Sequence, residues 1–352
     1  MVPSDEVQSS HIFNLRAIAR VRPPFAAEEI GCTACPLENT LEVVSQDGSS
    51  LHFNKFDKVH GFPDGASNTQ ADIFSDVQDI VLSTLEGLSG CVMVFGQTGS
   101  GKTYTLAGNL ESNSTEEGLL SRSITHLAQG ISKTSDGSQF KVYVSVVDTS
   151  TDSMTEHLRH GPSSPSLAVQ QGEELRAIVL GALKVPTEEE LVDLTEPGLA
   201  RRIMASISMK PGSRRCHAFI NLTVQRHLPG DTVMCGKLTI LEVEGSEQEK
   251  MDVALAVPWL LQGVLGVENR MALIVCCSPA ASDAEETISS LMYGTCAKAI
   301  LWVKQAPAGS AADIENQQSA AAIQRIMQSF QASTKSIEES AKMREETARM
   351  KV

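Results

Sequence analysis

The segment that most constrains the fold of this chain is an apolar run that leads directly into a glycine-rich octapeptide. Residues 91–96 read CVMVFG, a continuous apolar run that is typical of a strand buried on both faces of a sheet. Residues 96–103 read GQTGSGKT and match the pattern G-x-x-x-x-G-K-[ST], which a helix is expected to follow. Strand, glycine-rich turn and helix in this order indicate an α/β fold.

Each part of the octapeptide has a chemical role in binding phosphate groups. Gly96, Gly99 and Gly101 let the backbone turn so that its N–H groups point inward around an anion. Lys102 is placed to reach the β- and γ-phosphates of a nucleotide, and the Thr103 hydroxyl to bind Mg²⁺. An ordinary glycine-rich turn, the alternative, has little structural need for that lysine and hydroxyl. The sequence therefore predicts that ATP or ADP binds with Mg²⁺ at Gly96, Gln97, Thr98, Gly99, Ser100, Gly101, Lys102 and Thr103.

Charge and composition exclude several classes of protein. The 352 residues carry 43 acidic and 29 basic side chains, a net charge of -14. This sign disfavours polyanionic partners, so we expect no nucleic acid. No apolar run approaches the ~18–20 residues of a membrane helix, and the opening residues lack the pattern of a secretory signal. We therefore expect a cytoplasmic protein with reduced cysteines, in which Cys32 and Cys35 lie in a loop and form no zinc site.

Residue patterning divides the chain into four parts. Residues 1–13 are an N-terminal extension, residues 14–305 a globular domain and residues 306–319 a small, polar linker. Residues 320–352 form a neck or stalk helix. This helix either pairs in a coiled coil that makes a dimer, stays solvated, or packs back on the domain. Strands are predicted at 14–22, 41–44, 51–56, 91–96, 140–147, 177–185, 217–225, 236–243 and 271–277, and helices at 70–88, within 188–209 and at 283–301.

Several segments, in the right order, resemble the kinesin motor family. FGQTGSGKTYTLAG (95–108) looks like its phosphate loop, RVRP (20–23) like its R-x-R-P strand end and SSLMYGTCAKAI (289–300) like its final motor helix. The resemblance implies a P-loop NTPase of kinesin motor type, with a central mixed, mostly parallel sheet flanked by helices on both faces. It also implies that Arg20, Arg22, Pro23 and Tyr104 surround the adenine base. Tyr104 is alternatively a helix residue that packs on the sheet.

The first of the two segments that sense the γ-phosphate in kinesins is altered here. KPGSRRCH (210–217) aligns with N-x-x-S-S-R-S-H, and the resemblance implies catalytic roles for Ser213 and Arg215. Arg214 stands where a second serine helps to position the attacking water. The long cation either acts on the γ-phosphate like an arginine finger, or points away or blocks the water. We expect the substitution to slow hydrolysis.

The second segment, EVEGSE (242–247), aligns with D-L-A-G-S-E. The resemblance implies that the Gly245 N–H bonds the γ-phosphate and that Glu247 pairs with Arg215. Glu242 replaces the aspartate that supports Mg²⁺ through water, so its carboxylate extends about one methylene further, and misplacements near 1 Å cost on the order of 100-fold in rate. The implied metal-binding residues are Thr103, Ser213 and Glu242.

The segment that docks kinesins on tubulin is shortened in this chain. Only residues 248–257 separate Glu247 from Pro258, where the family has a loop and its main docking helix. The following V-P-x-R-x-S-K-L-T motif becomes VPWLLQGVLGV, with Trp259 and Leu260 where arginine and polar residues are expected, and Lys250 is the only basic residue in 248–267. Since tubulin is acidic, we expect microtubule binding to be weak or absent. Alternatively, 248–257 is a shortened helix and another region compensates.

Three functional hypotheses remain from the sequence. The first is a nucleotide switch or assembly module with impaired hydrolysis and weakened microtubule binding. The second is a divergent but active microtubule motor ATPase associated with the cytoskeleton. The third is a structural pseudo-motor that binds a protein partner other than tubulin, through the neck or a hydrophobic surface near Trp259, whose apolar neighbours are otherwise a core face.

Overall fold

The computed structural model of the chain describes residues 14–45, 48–62, 68–109, 116–149, 154–156, 183–185, 217–230, 232–243 and 270–303. The chain divides into two compact units, Met1–Gly294 and Thr295–Val352. Of the second unit, residues 295–303 are described, and they are helical. No helix within the described ranges has the length and apolar character that crossing a membrane requires. The predicted boundaries of the extension, linker and neck helix stay predictions.

The strands fall into two sheets. They are β1 (Asn14–Val21), β2 (Cys32–Cys35), β3 (Thr40–Val44), β4 (Ser50–Phe53), β5 (Lys58–Gly61), β6 (Ser89–Phe95), β7 (Gln139–Thr149), β8 (Met154–Glu156), β9 (Leu183–Val185), β10 (His217–His227), β11 (Val233–Glu242) and β12 (Arg270–Cys277). The central sheet has the order β5-β1-β12-β6-β11-β10-β7-β8, and β9 also pairs with β7. Along this order, β5, β1, β12, β6 and β11 are parallel to their neighbours. Strand β10 pairs antiparallel with β11 and β7, and β7 also pairs antiparallel with β8 and β9. The predicted mixed sheet is confirmed.

Helices cover both faces of this sheet. They are α1 (Gln70–Ser75), α2 (Gln78–Ser83), α3 (Lys102–Ala107), α4 (Leu119–Lys133) and α5 (Ala284–Val303). Val92 and Val94 of β6 belong to a core cluster that includes residues of α1, α2 and α4. The next side chain, Phe95, contacts the ring of Tyr293 in α5, with centroids 4.5 Å apart. Because successive strand residues point to opposite faces, α5 lies on the face opposite to that cluster.

The helix predicted at 70–88 is interrupted. α1 ends at Ser75 and α2 begins at Gln78, and Val77 between them has φ -124°, outside the helical region. A 3-10 turn at Thr84–Glu86 and Gly87, at φ +81°, then lead into β6. Ile73, Val77 and Ile80 are nevertheless all buried, because the interruption keeps the apolar stripe against the core.

The prediction of a loop at Cys32 and Cys35 is wrong, because these residues begin and end β2. This strand pairs antiparallel with β3, and β3 with β4, in a separate small sheet. Cys32 lies opposite Val43 and is fully buried, so it acts as a small hydrophobic residue, and burial raises the pKa of its thiol to about 12. Cys35 is a free, exposed thiol.

We predict that Thr69→Ala destabilises the start of α1. The Thr69 hydroxyl accepts from the Asp72 backbone N–H at 3.1 Å, and the Asp72 carboxylate accepts from the Thr69 N–H at 2.9 Å. Losing such a capping box lowers the free energy of unfolding by about 1 kcal/mol, measured by chemical denaturation. Ser75→Ala, which removes an exposed hydroxyl that bonds the Asp72 carbonyl, is the control and should change it by less than about 0.5 kcal/mol.

The effect of Thr69→Ala should depend on pH. Hydrogen bonds from Thr69 hold the pKa of Asp72 below its ordinary value in the folded protein. A depressed carboxyl pKa stabilises the fold above the unfolded-state pKa, and this contribution is lost as the pH falls through the folded-state pKa. The difference between wild type and variant should therefore shrink in acid, and a difference that grows in acid would contradict this assignment.

Candidate nucleotide-binding site

The turn between β6 and α3 has positive φ angles, which favour glycine, at Gly96, Gly99 and Gly101. Gly96 has φ +147°, and a Cβ there would lie 2.3 Å from the carbonyl oxygen of Cys276. Gly101 has φ +98° and directly precedes α3. The backbone N–H and the hydroxyl of Thr105 both donate to the Gly101 carbonyl at 2.9 Å, which anchors the end of the turn on the helix. The expected strand, glycine-rich turn and helix are therefore confirmed.

Lys102 lies against the turn that it follows. Its Nζ donates to the carbonyl oxygens of Gly96 and Gln97, each at 2.8 Å. The ammonium group is therefore held across the turn, and Ser100 closes the interior by donating to the Gln97 carbonyl at 2.7 Å. A positive charge over a tight turn of this sequence fits the phosphates of a nucleotide.

The hydroxyl of Thr103 and the carboxylate of Glu242 lie side by side at this site. The Thr103 hydroxyl donates to Oε1 of Glu242 at 3.1 Å. Glu242 ends β11 and lies opposite Val94 of β6, so the sheet brings it to the turn. Burial raises the pKa of its carboxyl, and the Lys102 charge and the Thr103 hydroxyl oppose that rise.

This donor set fits Mg²⁺ bound together with a nucleotide. Hydroxyl and carboxylate oxygens are ligands that Mg²⁺ prefers, and it commonly takes only one or two from the protein, with phosphates and water completing the shell. Within the described residues, no group of three or more His, Cys, Asp or Glu side chains is arranged to hold a metal ion by itself. When bound, the ion would supply positive charge against the phosphate oxygens, and Thr103 and Glu242 would hold it.

Arg20 lies beneath the site as a buried structural cation. Only 5% of its surface is exposed, and burial lowers the pKa of its guanidinium. It donates to the side chain and carbonyl of Asn68 at 3.0 and 3.1 Å, to Oε1 of Gln70 at 3.1 Å and to the Thr105 hydroxyl at 2.9 Å. The Gln70 amide in turn donates to the Tyr104 carbonyl at 2.6 Å. Arg20 thus ties β1 to α1 and α3.

Arg22 joins the end of β1 to the glycine-rich turn. Its Nε donates to the Gly99 carbonyl at 2.8 Å, and its two Nη atoms form a fork on the Glu28 carboxylate at 2.8 and 2.7 Å. It also donates to the hydroxyl of Ser278 at 2.9 Å and lies 4.0 Å from the Phe25 ring centroid. These contacts hold Arg22 next to the turn.

Tyr104 lies at the edge of the site with its ring 39% exposed. Its hydroxyl donates to the Glu116 carboxylate at 2.9 Å, and the Arg20 guanidinium is 5.3 Å from the ring centroid. Burial and the Glu116 hydrogen bond raise the pKa of the hydroxyl. The exposed part of the ring is available to a planar group, and base stacking by Tyr104 stays a prediction.

The remaining site predictions lie outside the described residues. They concern Ser213, Arg214, Arg215, Gly245, Glu247 and Trp259, and the shortened segment 248–257. Sequence reasoning in turn missed Glu28, Asn68, Gln70 and Glu116, which hold Arg20, Arg22 and Tyr104. The one local signal was Thr69, whose capping box begins α1 and fixes Asn68 and Gln70 on either side of it.

Comparison with known proteins supports one family. The model of the kinesin motor domain matches residues 20–256, about two thirds of the chain. The chain is 26% identical over 331 residues to a kinesin heavy chain of Syncephalastrum racemosum, an alignment that covers 82% of this chain and 35% of that protein. It is 28% identical over 333 residues to kinesin-like protein 3 of Schizosaccharomyces pombe, covering 82% and 58%. The chain thus spans between a third and three fifths of these relatives.

Two solved structures have the same fold. The C-terminal motor domain of Kar3 from Candida glabrata aligns with a TM-score of 0.62 at 22% identity, over 80% of this chain and 97% of that one. A structure described as that of a fast kinesin aligns with a TM-score of 0.63 at 21% identity, over 81% and 91%. The predicted arrangement of a central sheet with flanking helices is confirmed by these alignments.

Proposed function

The chain belongs to the kinesin motor-domain family of nucleotide-binding P-loop proteins, and we propose that it is a nucleotide switch or assembly module with impaired turnover. It binds ATP or ADP with Mg²⁺ at the turn between β6 and α3, hydrolyses ATP slowly and binds microtubules weakly or not at all. The observation that carries the proposal is the contact between Thr103 and Glu242, because it joins an intact phosphate loop to an altered second switch.

Nucleotide binding rests on the described geometry. The Lys102 ammonium lies over the turn, the Thr103 hydroxyl lies beside a carboxylate, and Arg22 fixes the turn through the Gly99 carbonyl. Tyr104 offers an exposed ring at the edge for the base, with Pro23 beside the turn, while the buried Arg20 supports that ring from 5.3 Å. By the resemblance to kinesins, Ser213 and Arg215 of the first switch and Gly245 and Glu247 of the second would act on the γ-phosphate.

Slow hydrolysis rests on two substitutions relative to the family. Glu242 carries one methylene more than the expected aspartate, and rate is sensitive to displacements near 1 Å. Arg214 replaces a serine with a long cation where the attacking water must be positioned. Nucleotide binding needs the phosphate loop and the base pocket, whereas ATP hydrolysis also needs both switches. Changes in the switches therefore slow hydrolysis without preventing nucleotide binding.

Weak microtubule binding rests on the sequence between Glu247 and Pro258. The ten residues 248–257 replace the loop and docking helix of the family, and Lys250 is the only basic residue in 248–267. With so few basic side chains there and a net charge of -14, the chain has little electrostatic attraction to the acidic surface of tubulin. Trp259 and its apolar neighbours offer a surface for a protein partner instead, and residues beyond 320 a dimer contact.

An active motor is the second candidate function, favoured by the family itself and by the retained residue types at Ser213, Arg215 and Glu247. Kinesin family proteins associate with the cytoskeleton, and in either case we propose a cytoplasmic, cytoskeleton-associated location. A structural pseudo-motor, with nucleotide bound permanently or not at all, is the third.

Two measurements on the purified chain separate these candidates. Mass spectrometry of nucleotide released on denaturation should find ATP or ADP, which the empty pseudo-motor would lack. Co-sedimentation with microtubules at low salt should find little bound protein, whereas tight, nucleotide-sensitive binding would favour the active motor.

A further inference from the structure

The geometry points to Glu242 as a direct ligand of the divalent ion, not a group that supports it through water. This inference rests on the proposed function and concerns the same site. The family resemblance implies that an aspartate at this position supports Mg²⁺ through a water molecule, so a direct carboxylate ligand would distinguish this chain.

The positions of both partners are fixed by their backbones. Leu241 and Glu242 pair with Met93 and Val94 of β6, and the Val243 N–H donates to the Val94 carbonyl at 2.9 Å. Glu242 also pairs with Ala218 of β10, so its backbone is held from both sides. Thr103 is the second residue of α3, whose start is anchored by Thr105 on Gly101. A longer side chain at 242 therefore reaches further toward Thr103 and is not absorbed by a shift of the strand.

The added reach is close to the difference between the two modes of binding. A carboxylate oxygen that acts through a bridging water lies about 4 Å from Mg²⁺, whereas a direct ligand lies about 2.1 Å away. One more methylene extends a side chain by up to about 1.5 Å. Most of the gap is thus closed by the change from aspartate to glutamate.

The observed oxygen separation also fits two ligands of one ion. Adjacent ligands of an octahedral shell with bonds of about 2.1 Å are about 3.0 Å apart. Oγ1 of Thr103 and Oε1 of Glu242 are 3.1 Å apart. The pair already has the spacing of neighbouring ligands, and the Thr103 hydroxyl can keep its proton while its oxygen binds the ion.

The test counts the water molecules on Mn²⁺, a paramagnetic substitute for Mg²⁺, in the complex of the full chain with ADP. Line broadening in ¹⁷O-enriched water, measured by electron paramagnetic resonance, gives this number. With Thr103, Glu242 and one phosphate oxygen bound, about three of the six octahedral positions remain for water. Glu242→Asp should bind one water more than the wild type. Glu42→Asp, the same change in β3 of the small sheet, should match the wild type.

The outcomes separate this inference from the proposed function. If both proteins bind Mn²⁺ and ADP and each keeps about four waters, Glu242 acts through water and the inference is overturned while the proposed function stands. If Glu242→Asp does not fold, the number of waters on Mn²⁺ in the wild type decides alone. About three waters support direct binding by Glu242, and about four contradict it. If the wild type binds no nucleotide, the proposed function fails and the inference fails with it.

Discussion

Lys102→Ala is expected to lower the affinity of the chain for ATP by roughly 100-fold or more. The Lys102 ammonium is held over the turn by the carbonyls of Gly96 and Gln97, where the phosphates are expected. Removing one member of a hydrogen-bonded charge pair in a binding site costs about 2–5 kcal/mol, and every 1.4 kcal/mol is about tenfold in affinity.

Calorimetric titration with Mg·ATP measures this loss. Lys133→Ala, which removes an exposed lysine from the last turn of α4, is the matched control and should leave the affinity within about twofold. Lys102→Arg should recover little, because a planar guanidinium cannot take the place of a compact ammonium inside the turn. If Lys102→Ala binds ATP as tightly as the control variant does, the turn is not the phosphate site.

Arg20→Ala is expected to lower the free energy of unfolding by about 3 kcal/mol in the absence of nucleotide. The substitution removes the donors for the Asn68 and Gln70 side-chain oxygens, and Gln70 is only 4% exposed. Each buried polar atom left without a partner costs about 1–3 kcal/mol, and the emptied volume adds to the cost. Against the usual total of about 5–15 kcal/mol this is a large fraction.

A second arginine of the same strand provides the control. Arg16 forks on the Asp79 carboxylate at 2.9 and 3.2 Å and also donates to the Asp76 carbonyl, but the two side chains of the ion pair are 28% and 47% exposed. Arg16→Ala should therefore cost at most about 1 kcal/mol. Denaturant titration of both variants compares them directly, and equal losses would mean that the buried network around Arg20 adds nothing to a surface ion pair.

Local patterns predicted the elements whose cause is local. The apolar run 91–96 became β6, and the glycines of GQTGSGKT became the turn, because burial on two faces and positive φ values are properties of a few consecutive residues. Cys32 and Cys35 were misread for the opposite reason. Their strand exists only because Val43 and Thr40 of β3 lie opposite them, and the short segment itself carries no strand signal.

The partners within the site were beyond local reasoning. Arg20 meets Asn68, Gln70 and Thr105, which lie 48, 50 and 85 residues away in the chain. Ser278 is 256 residues from the Arg22 that it contacts. Only the pairing of β1 with β12, and the packing of α1 and α3 near its end, bring these groups together. The resemblance to kinesins supplied the identity of Arg20, Arg22 and Tyr104, but not what holds them in place.

The central claim is that the chain binds nucleotide but that microtubules do not stimulate its ATP hydrolysis. Its most direct test is the steady-state ATP turnover of the purified chain, measured at low salt over a series of microtubule concentrations. We predict a slow basal rate, with nucleotide bound, that stays unchanged as microtubules are added. A rate that rises steeply and saturates with microtubule concentration would contradict the account and identify an active motor.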